Sequence, residues 1–216
     1  MWKFLYPITL VSDYLPLFFY LIAFRKLNRV KAFRYLGILV IVLVIANFYS
    51  SSLSSQGINN MHLFHIYTVL EHSLITLIFI EIIKKKGFKT IALSGLFIFY
   101  LFVITDIIFL EPLNTFNSNI RSVQGVITLL YCVFFYYSIF DDAKVVELSN
   151  YPYFWLVSGM ILYFSGTLFL YVFGDQIVSN KKYVDYYQIH NFFNIIQNTF
   201  YAYTLWLGSK QIQLTH

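Results

Sequence analysis

Long apolar stretches alternate with short polar segments along the whole chain. A helix needs about 20 apolar residues to cross the hydrocarbon core of a bilayer. Stretches of that length, numbered here as spans 1 to 7, occur at residues 5–24, 35–54, 62–83, 89–110, 120–140, 153–174 and 188–207. Backbone amides in lipid must be satisfied within the segment itself, so each stretch is predicted to be a helix. The pattern predicts an all-α membrane protein built as a single seven-transmembrane helix bundle.

The composition supports lipid as the main solvent of this surface. Of the 216 residues, 59% are hydrophobic and 12% are charged, whereas a soluble domain carries roughly 25% charged residues. The net charge of +5 comes from short basic clusters between apolar runs. These clusters lack the aromatic interleaving of a nucleic-acid patch, so we expect no nucleic-acid partner. They are typical of segments that face anionic membrane lipid.

The positions of the basic residues predict the orientation of the bundle. If the N-terminus is outside, 11 of the 15 lysines and arginines lie on the inner side of the membrane and four on the outer side. The inner set is Arg25, Lys26, Arg29, Lys31, Arg34, Lys84, Lys85, Lys86, Lys89, Lys144 and Lys210, and the outer set is Lys3, Arg121, Lys181 and Lys182. In membrane proteins, basic residues are enriched in the short loops that lie on the cytoplasmic side of the membrane. We therefore predict an outside N-terminus, an inside C-terminus and a multi-pass location in a cell membrane.

Two spans carry polar residues along one helix face. The polar positions of span 3 are His65, Thr68, Glu71, His72 and Thr76, and those of span 7 are His190, Asn194, Gln197, Asn198 and Tyr201. Spacings of three and four residues bring such side chains to one face of a helix. Polar groups are costly in hydrocarbon and turn toward the bundle interior. These two stripes are therefore predicted to face protein or a wet cavity.

The depth of the polar residues predicts where that cavity opens. In the predicted orientation, Glu71 and Gln197 lie near mid-membrane, as does Asp13 in span 1, while Asp106 lies in the outer half of span 4. The inner half of the bundle is poorer in polar groups. We expect an outward-opening polar cavity that binds a small ligand. The candidate ligand-binding residues are Asp13, His65, Glu71, His72, Asp106, His190, Asn194, Gln197 and Asn198.

The three buried carboxyl groups are the strongest functional candidates. An unpaired carboxylate in the membrane costs at least about 2.5–3.5 kcal/mol. Glu71, Asp13 and Asp106 are therefore expected to be protonated, to pair with a histidine of the two stripes, or to contact a cationic or hydroxyl-rich ligand. The uncharged polar residues have a simpler interpretation as hydrogen-bonding contacts between helices. That interpretation applies to Asn47, Ser50, Ser51, Thr68 and Gln124.

A metal site or a cofactor is not predicted. His65 and His72 are separated by two helical turns, about 10 Å along the axis, which is too far for both to bind one ion through bonds of about 2 Å. Cys132 is the single cysteine, which excludes a disulfide within the chain. The pairs Ser158-Gly159 and Ser165-Gly166 recur seven residues apart in span 6 and predict a close helix contact.

Two seven-helix families can be compared with span 7. Microbial rhodopsins attach retinal to a lysine there, and this span has none. The metal hydrolases that act on ceramides carry an H-x-x-x-H motif late in the chain. The corresponding stretch here runs from His190 to Asn194 and lacks the second histidine.

Three segments together resemble a group of small, uncharacterised bacterial seven-helix proteins, some of them associated with sensor kinases. They are the span 3 pattern from Tyr67 to Glu71, the span 6 stretch from Phe154 to Gly166, and the asparagine-rich span 7. The resemblance implies a sensing role in a bacterial inner membrane and identifies no ligand. Spans 1–3 and 5–7 would keep the same orientation as parallel repeats, an arrangement known in sugar-transporting seven-helix proteins.

These observations favour a sensor or receptor-like protein that binds a small molecule between spans 3 and 7. A signalling protein at the inner face would then receive the signal. A small-solute or proton-coupled transporter is the first alternative, since it needs the same central polar site. An intramembrane metal-dependent hydrolase is the second, with Glu71 and His65 or Asp106 and His190 acting as a pair. An enzymatic role is the less favoured expectation.

Overall fold

The computed structural model describes residues 5–142, 147–174, 177 and 188–214. These residues form helices and no strand. The helices are α1 (Leu5–Ile22), α2 (Phe24–Leu27), α3 (Lys31–Ser55), α4 (Met61–Ile82), α5 (Phe88–Phe109), α6 (Ser118–Asp142), α7 (Pro152–Val172) and α8 (Gln188–Leu214), with a 3₁₀ turn at Leu148–Asn150. Lys3, Lys144, Lys181 and Lys182, which contributed to the predicted orientation, lie outside the described residues.

Five of these helices are long and apolar enough to cross a membrane, namely α3, α4, α5, α6 and α7. The apolar segment of α1 is shorter and covers Pro7–Ile22. Helix α8 is long, but its stripe of histidine, asparagine and glutamine lowers its hydropathy. The prediction of an all-helical membrane bundle is therefore confirmed. Each of the seven predicted spans coincides with one of the long helices.

Tight connections join several neighbouring helices. Gly57, between α3 and α4, has a φ of 69°, and Gly87, before α5, has a φ of 85°. Both values lie in the left-handed region, which glycine enters without the steric cost of a Cβ. Pro152 is the first residue of α7, where its missing N–H costs no helical hydrogen bond. Short connections of this kind make consecutive helices antiparallel neighbours.

Six helices form a closed ring, in the order α1, α3, α4, α6, α7, α8 and back to α1. Helix α5 packs outside the ring against α4 and α6. The contact between α7 and α8 is close because glycines face aromatic rings. A Cβ on Gly159 would lie 2.6 Å from Cβ of Phe200, and one on Gly166 would lie 2.3 Å from the ring of Phe193. The glycines of span 6 thus sit at a close helix contact, as their spacing predicts.

The ring has two different ends. At the first, named here the cavity end, α1, α4, α6 and α8 begin and α3, α5 and α7 end. The other is named the basic end, because the described members of the predicted inner set of lysines and arginines cluster there. The half of the ring toward the basic end holds apolar core residues that include Leu36, Ile78, Phe79, Leu156 and Leu205. The polar residues are therefore concentrated in the half toward the cavity end.

Candidate functional site

A cavity of about 200 Å³ lies inside the ring, in the half toward the cavity end. A single water needs about 10–15 Å³ on this measure, so the cavity has room for several waters or one small solute. All six ring helices contribute to its lining and α5 does not. Its floor includes Leu39, Val40 and Tyr201. The polar lining residues are Thr9, Asp13, Asn47, Ser50, Ser51, Tyr67, Glu71, Asn117, Arg121, Tyr163, Tyr171, His190, Asn191, Asn194, Gln197 and Tyr201.

Glu71 is held by a buried ion pair with Arg121. Nη1 of Arg121 donates to Oε2 of Glu71, and the same oxygen accepts a hydrogen bond from Nε2 of Gln124 at 2.8 Å. The hydroxyl of Tyr67 donates to Oε1 of Glu71 at 3.0 Å. Glu71 and Arg121 are 4% and 7% exposed. The ion pair joins α4 to α6. Tyr67 and Gln124 donate further hydrogen bonds to the carboxylate.

This pairing corrects two expectations from the sequence. Glu71 was expected to be protonated, to bind a ligand or to pair with a histidine, whereas its partner is an arginine. Arg121 was counted among the outer basic residues, whereas it is buried in the first turn of α6. The sequence does contain a sign that Arg121 faces the interior, since Arg121, Gln124 and Thr128 are spaced so that they lie on one helix face. It was missed because a basic residue at the edge of a span is also typical of a topology signal.

Arg121 also lies between two aromatic rings. Its guanidinium carbon is 5.3 Å from the centroid of the Tyr67 ring and 5.2 Å from that of the Tyr171 ring, within the range of a cation–π contact. Nη1 donates hydrogen bonds to Oε2 of Glu71 and to Oε1 of Gln124. No described residue accepts a hydrogen bond from Nε or Nη2. Because Arg121 lines the cavity, these two groups can donate to a molecule inside it.

The opposite side of the cavity is built around Asp13, which is 2% exposed. Nδ2 of Asn47 donates to Oδ2 of Asp13 at 2.7 Å, and Nδ2 of Asn198 donates to Oδ1 at 2.7 Å. The same amide nitrogen of Asn198 lies 3.0 Å from Oγ of Ser12 and 2.8 Å from Oδ1 of Asn194. These five residues, named here the Asp13 wall, join α1, α3 and α8.

His190 contributes to the cavity through a hydrogen-bonded chain of aromatic side chains. Its Nε2 lies 3.0 Å from the hydroxyl of Tyr163, and that hydroxyl lies 2.8 Å from the hydroxyl of Tyr171. Gln197 lies further down α8 and donates from Nε2 to the hydroxyl of Tyr201 at 2.9 Å. The amide oxygen of Gln197 accepts no hydrogen bond from a described residue and can accept one from a molecule in the cavity.

Five of the nine sequence-predicted site residues line this cavity together: Asp13, Glu71, His190, Asn194 and Gln197. Asn198 supports the lining from behind, through its hydrogen bonds to Asp13 and Asn194. The predicted convergence of spans 3 and 7 on one polar hollow is thus present in the structure. Whether these residues bind a ligand stays a prediction.

The other three predicted residues lie outside the lining. His72 follows Glu71 directly and so points away from the ring centre, with its ring centroid 4.1 Å from that of Phe99 in α5. Nε2 of His65 lies 3.2 Å from the backbone oxygen of Thr115. Asp106 lies on α5, outside the ring, and accepts a hydrogen bond from Nδ2 of Asn119 at 3.0 Å. The expectation that these three share the cavity is therefore wrong.

The polar lining of the cavity is chemically suited to holding a small polar molecule. Within the described ranges, no three histidine, cysteine, aspartate or glutamate side chains come close enough to hold a metal ion. The cavity instead offers arginine, tyrosine and amide donors together with carboxylate, amide and hydroxyl acceptors. Such convergent polar groups fix the orientation of a small ligand.

Comparison of this chain with protein-family models, with curated proteins and with solved structures found no match.

Proposed function

We propose that the chain crosses the membrane seven times, with its N-terminus and the cavity end outside. The reduced hydropathy of α8 has a physical cause, because its polar stripe faces the cavity and the Asp13 wall instead of lipid. The excess of lysine and arginine at the basic end supports a cytoplasmic location for that end. Removing the buried Arg121 from the outer set of four leaves three basic residues there, so the asymmetry in the sequence becomes larger.

Cysteine labelling tests this orientation. With Cys132 replaced by alanine, single cysteines are introduced at Asn59 and Lys86, which are exposed near the cavity end and the basic end. We expect Asn59→Cys to react with a membrane-impermeant maleimide in intact cells, and Lys86→Cys to react only after permeabilisation. The reverse pattern would contradict the orientation, and equal reaction in intact cells would contradict the spanning architecture.

We propose that the protein is receptor-like and binds a small polar solute in the cavity. The observation that carries this proposal is the convergence of Glu71, Arg121, Asn194 and Gln197 on one hollow inside the ring. Arginine Nε and Nη2 would donate to the solute, and the amide oxygen of Gln197 would accept from it. Since the apolar core of the half toward the basic end lies beyond the floor, a solute entering from the cavity end would stop near the middle of the bundle.

The binding test uses purified protein in detergent and a panel of monosaccharides, amino acids and short organic acids. A solute that binds the folded state raises the unfolding temperature in a concentration-dependent way. We expect Gln197→Leu to weaken the affinity for such a solute at least tenfold. Thr199→Val is the matched control, because Thr199 is exposed on the outer face of the same helix. An equal loss in both variants, or none in Gln197→Leu, would contradict binding at this cavity.

We propose that a signalling protein docks at the basic end and receives the signal from this receptor-like protein. The short connections and helix ends there offer lysines and arginines to an acidic partner. Crosslinking from Lys86→Cys in native membranes, with and without solute, tests the proposal. A solute-dependent crosslink would support it, and a partner captured equally well at the cavity end would contradict it.

A carrier is the second candidate function. One observation favours it: the six helices around the cavity form a ring in which α1, α3 and α4 are followed by α6, α7 and α8, with α5 outside. Parallel three-helix repeats around a central site occur in seven-helix sugar transporters. A carrier must also open its apolar half to the basic end. Solute flux into liposomes that is lost in Glu71→Gln would favour a carrier over a receptor.

A further inference from the structure

The two sides of the cavity differ in their charge balance. Glu71 has Arg121 as its counter-charge. Asp13 is even less exposed than Glu71, yet its carboxylate accepts hydrogen bonds from two neutral amides, those of Asn47 and Asn198. In the described part of the chain no lysine, arginine or histidine forms an ion pair with it. With Asp13 and Glu71 ionised and Arg121 charged, the cavity carries a formal net charge of −1.

Oxygen atoms gather beside Asp13. Oδ1 of Asp13, Oγ of Ser12 and Oδ1 of Asn194 all lie within 2.7–3.0 Å of one atom, the amide nitrogen of Asn198. An amide nitrogen has two hydrogens, so it cannot donate a full hydrogen bond to all three oxygens. The amide nitrogen of Asn198 therefore leaves at least one of these three oxygens without a full hydrogen bond from it.

Asn198 supplies a second, independent observation. Its side chain is fully buried, and no residue in the described part of the chain donates a hydrogen bond to its Oδ1. A buried acceptor left unpaired costs about 1–3 kcal/mol. Rotating this amide by half a turn would exchange its nitrogen for its oxygen and add a fourth oxygen to the cluster. Carboxylate, amide and hydroxyl oxygens are the ligands of hard cations.

We propose that the Asp13 wall is a binding site for a monovalent cation. Because the formal net charge of the cavity is −1, a singly charged cation neutralises it, whereas a divalent cation would leave a net positive charge. Oxygens of Asp13, Asn194 and Asn198 would surround the cation, with Ser12 completing the set. Asp13 and Asn194 also line the cavity, so the ion can enter from there. The same chemistry suits a free alkali ion or the ammonium group of a solute, and the experiment separates these two sources.

The test uses cations alone, so it does not depend on the proposed binding of a neutral solute. Thermal unfolding of the purified protein is followed at constant ionic strength while N-methylglucamine chloride is replaced by sodium, potassium or methylammonium chloride. We expect a saturable rise of the unfolding temperature with at least one of the three smaller cations. A response to sodium or potassium identifies a free ion, and a response to methylammonium alone identifies an ammonium group.

Variants assign the response to the wall. Asp13→Asn and Asn194→Leu should each weaken the apparent affinity for the cation at least tenfold. Asp106→Asn is the matched control, since it changes a buried carboxyl outside the ring and should keep the wild-type response. If Asp13→Asn does not fold, Asn194→Leu and the wild-type titration decide the question. Absence of a cation response in wild type, or an unchanged affinity in both wall variants, would overturn the proposal.

Discussion

Replacing Glu71 by glutamine removes the counter-charge of a guanidinium that is buried between α4 and α6. The side chains of Glu71 and Arg121 are 5% and 8% exposed, so solvent can screen little of the change. Breaking a buried pair by removing one partner costs about 3–5 kcal/mol, because the remaining charge stays uncompensated. Replacing both partners by uncharged residues of similar volume is often close to neutral. The structure therefore predicts strong, non-additive coupling between these two positions.

A double-mutant cycle measures that coupling. The free energy of unfolding is determined for wild type, Glu71→Gln, Arg121→Met and the double variant, by titrating purified protein in mild detergent with a denaturing detergent. We expect each single variant to lose about 3–5 kcal/mol. The double variant should be closer to wild type than either single variant, so the coupling energy should exceed either single loss and be more than about 3 kcal/mol.

The pair of Lys85 and Asp141 at the basic end is the control. Nζ of Lys85 lies 2.5 Å from Oδ2 of Asp141, but these side chains are 27% and 51% exposed. Exposed pairs contribute about 0.2–1 kcal/mol, so the same cycle on this pair should give a much smaller coupling. Equal coupling at the two pairs, or strictly additive losses for Glu71 and Arg121, would refute the assignment of a buried ion pair.

Two further predictions concern packing around the site. His72→Leu should be at least as stable as wild type in thermal unfolding and should bind solutes unchanged, because both ring nitrogens of His72 are buried and no described residue forms a hydrogen bond with them. A large loss of stability would contradict that environment. Gly166→Ala should lose roughly 1–3 kcal/mol, since its Cβ would lie 2.3 Å from the Phe193 ring. Gly125→Ala, whose nearest contact would be 3.3 Å, should lose less, and the reverse order would contradict the close packing of α7 on α8.

The positions of the helices could be predicted from the sequence to within a few residues in most cases. Span 3, predicted at 62–83, is the helix Met61–Ile82, and span 4, predicted at 89–110, is Phe88–Phe109. This works because a lipid-facing helix must be apolar over a length set by the bilayer. Helix α8 extends to Leu214, beyond the predicted 207. Its last turns leave the apolar stretch, and hydropathy carries no information about where a helix ends outside lipid.

The candidate site could be predicted only in part. The stripe on α8 has one face, so its periodicity correctly identified His190, Asn194 and Gln197 as inward-facing. The stripe on α4 is wider, and neighbours such as Glu71 and His72 point in directions about 100° apart. Only one of the two can face the ring centre. Spacing along one helix does not say which, because that depends on where the other helices lie.

The alternation of apolar and polar segments was enough to establish an all-helical membrane bundle with a polar interior, since the cost of exposing backbone and charges to lipid acts on each segment separately. The pairing of side chains is different, because it depends on which residues meet between helices that are far apart in the chain. That Arg121 pairs with Glu71, that α5 stands outside the ring and that Asp13 is surrounded by amides were decided by the tertiary structure alone. A buried charge can be recognised in one helix, but its counter-charge lies on another.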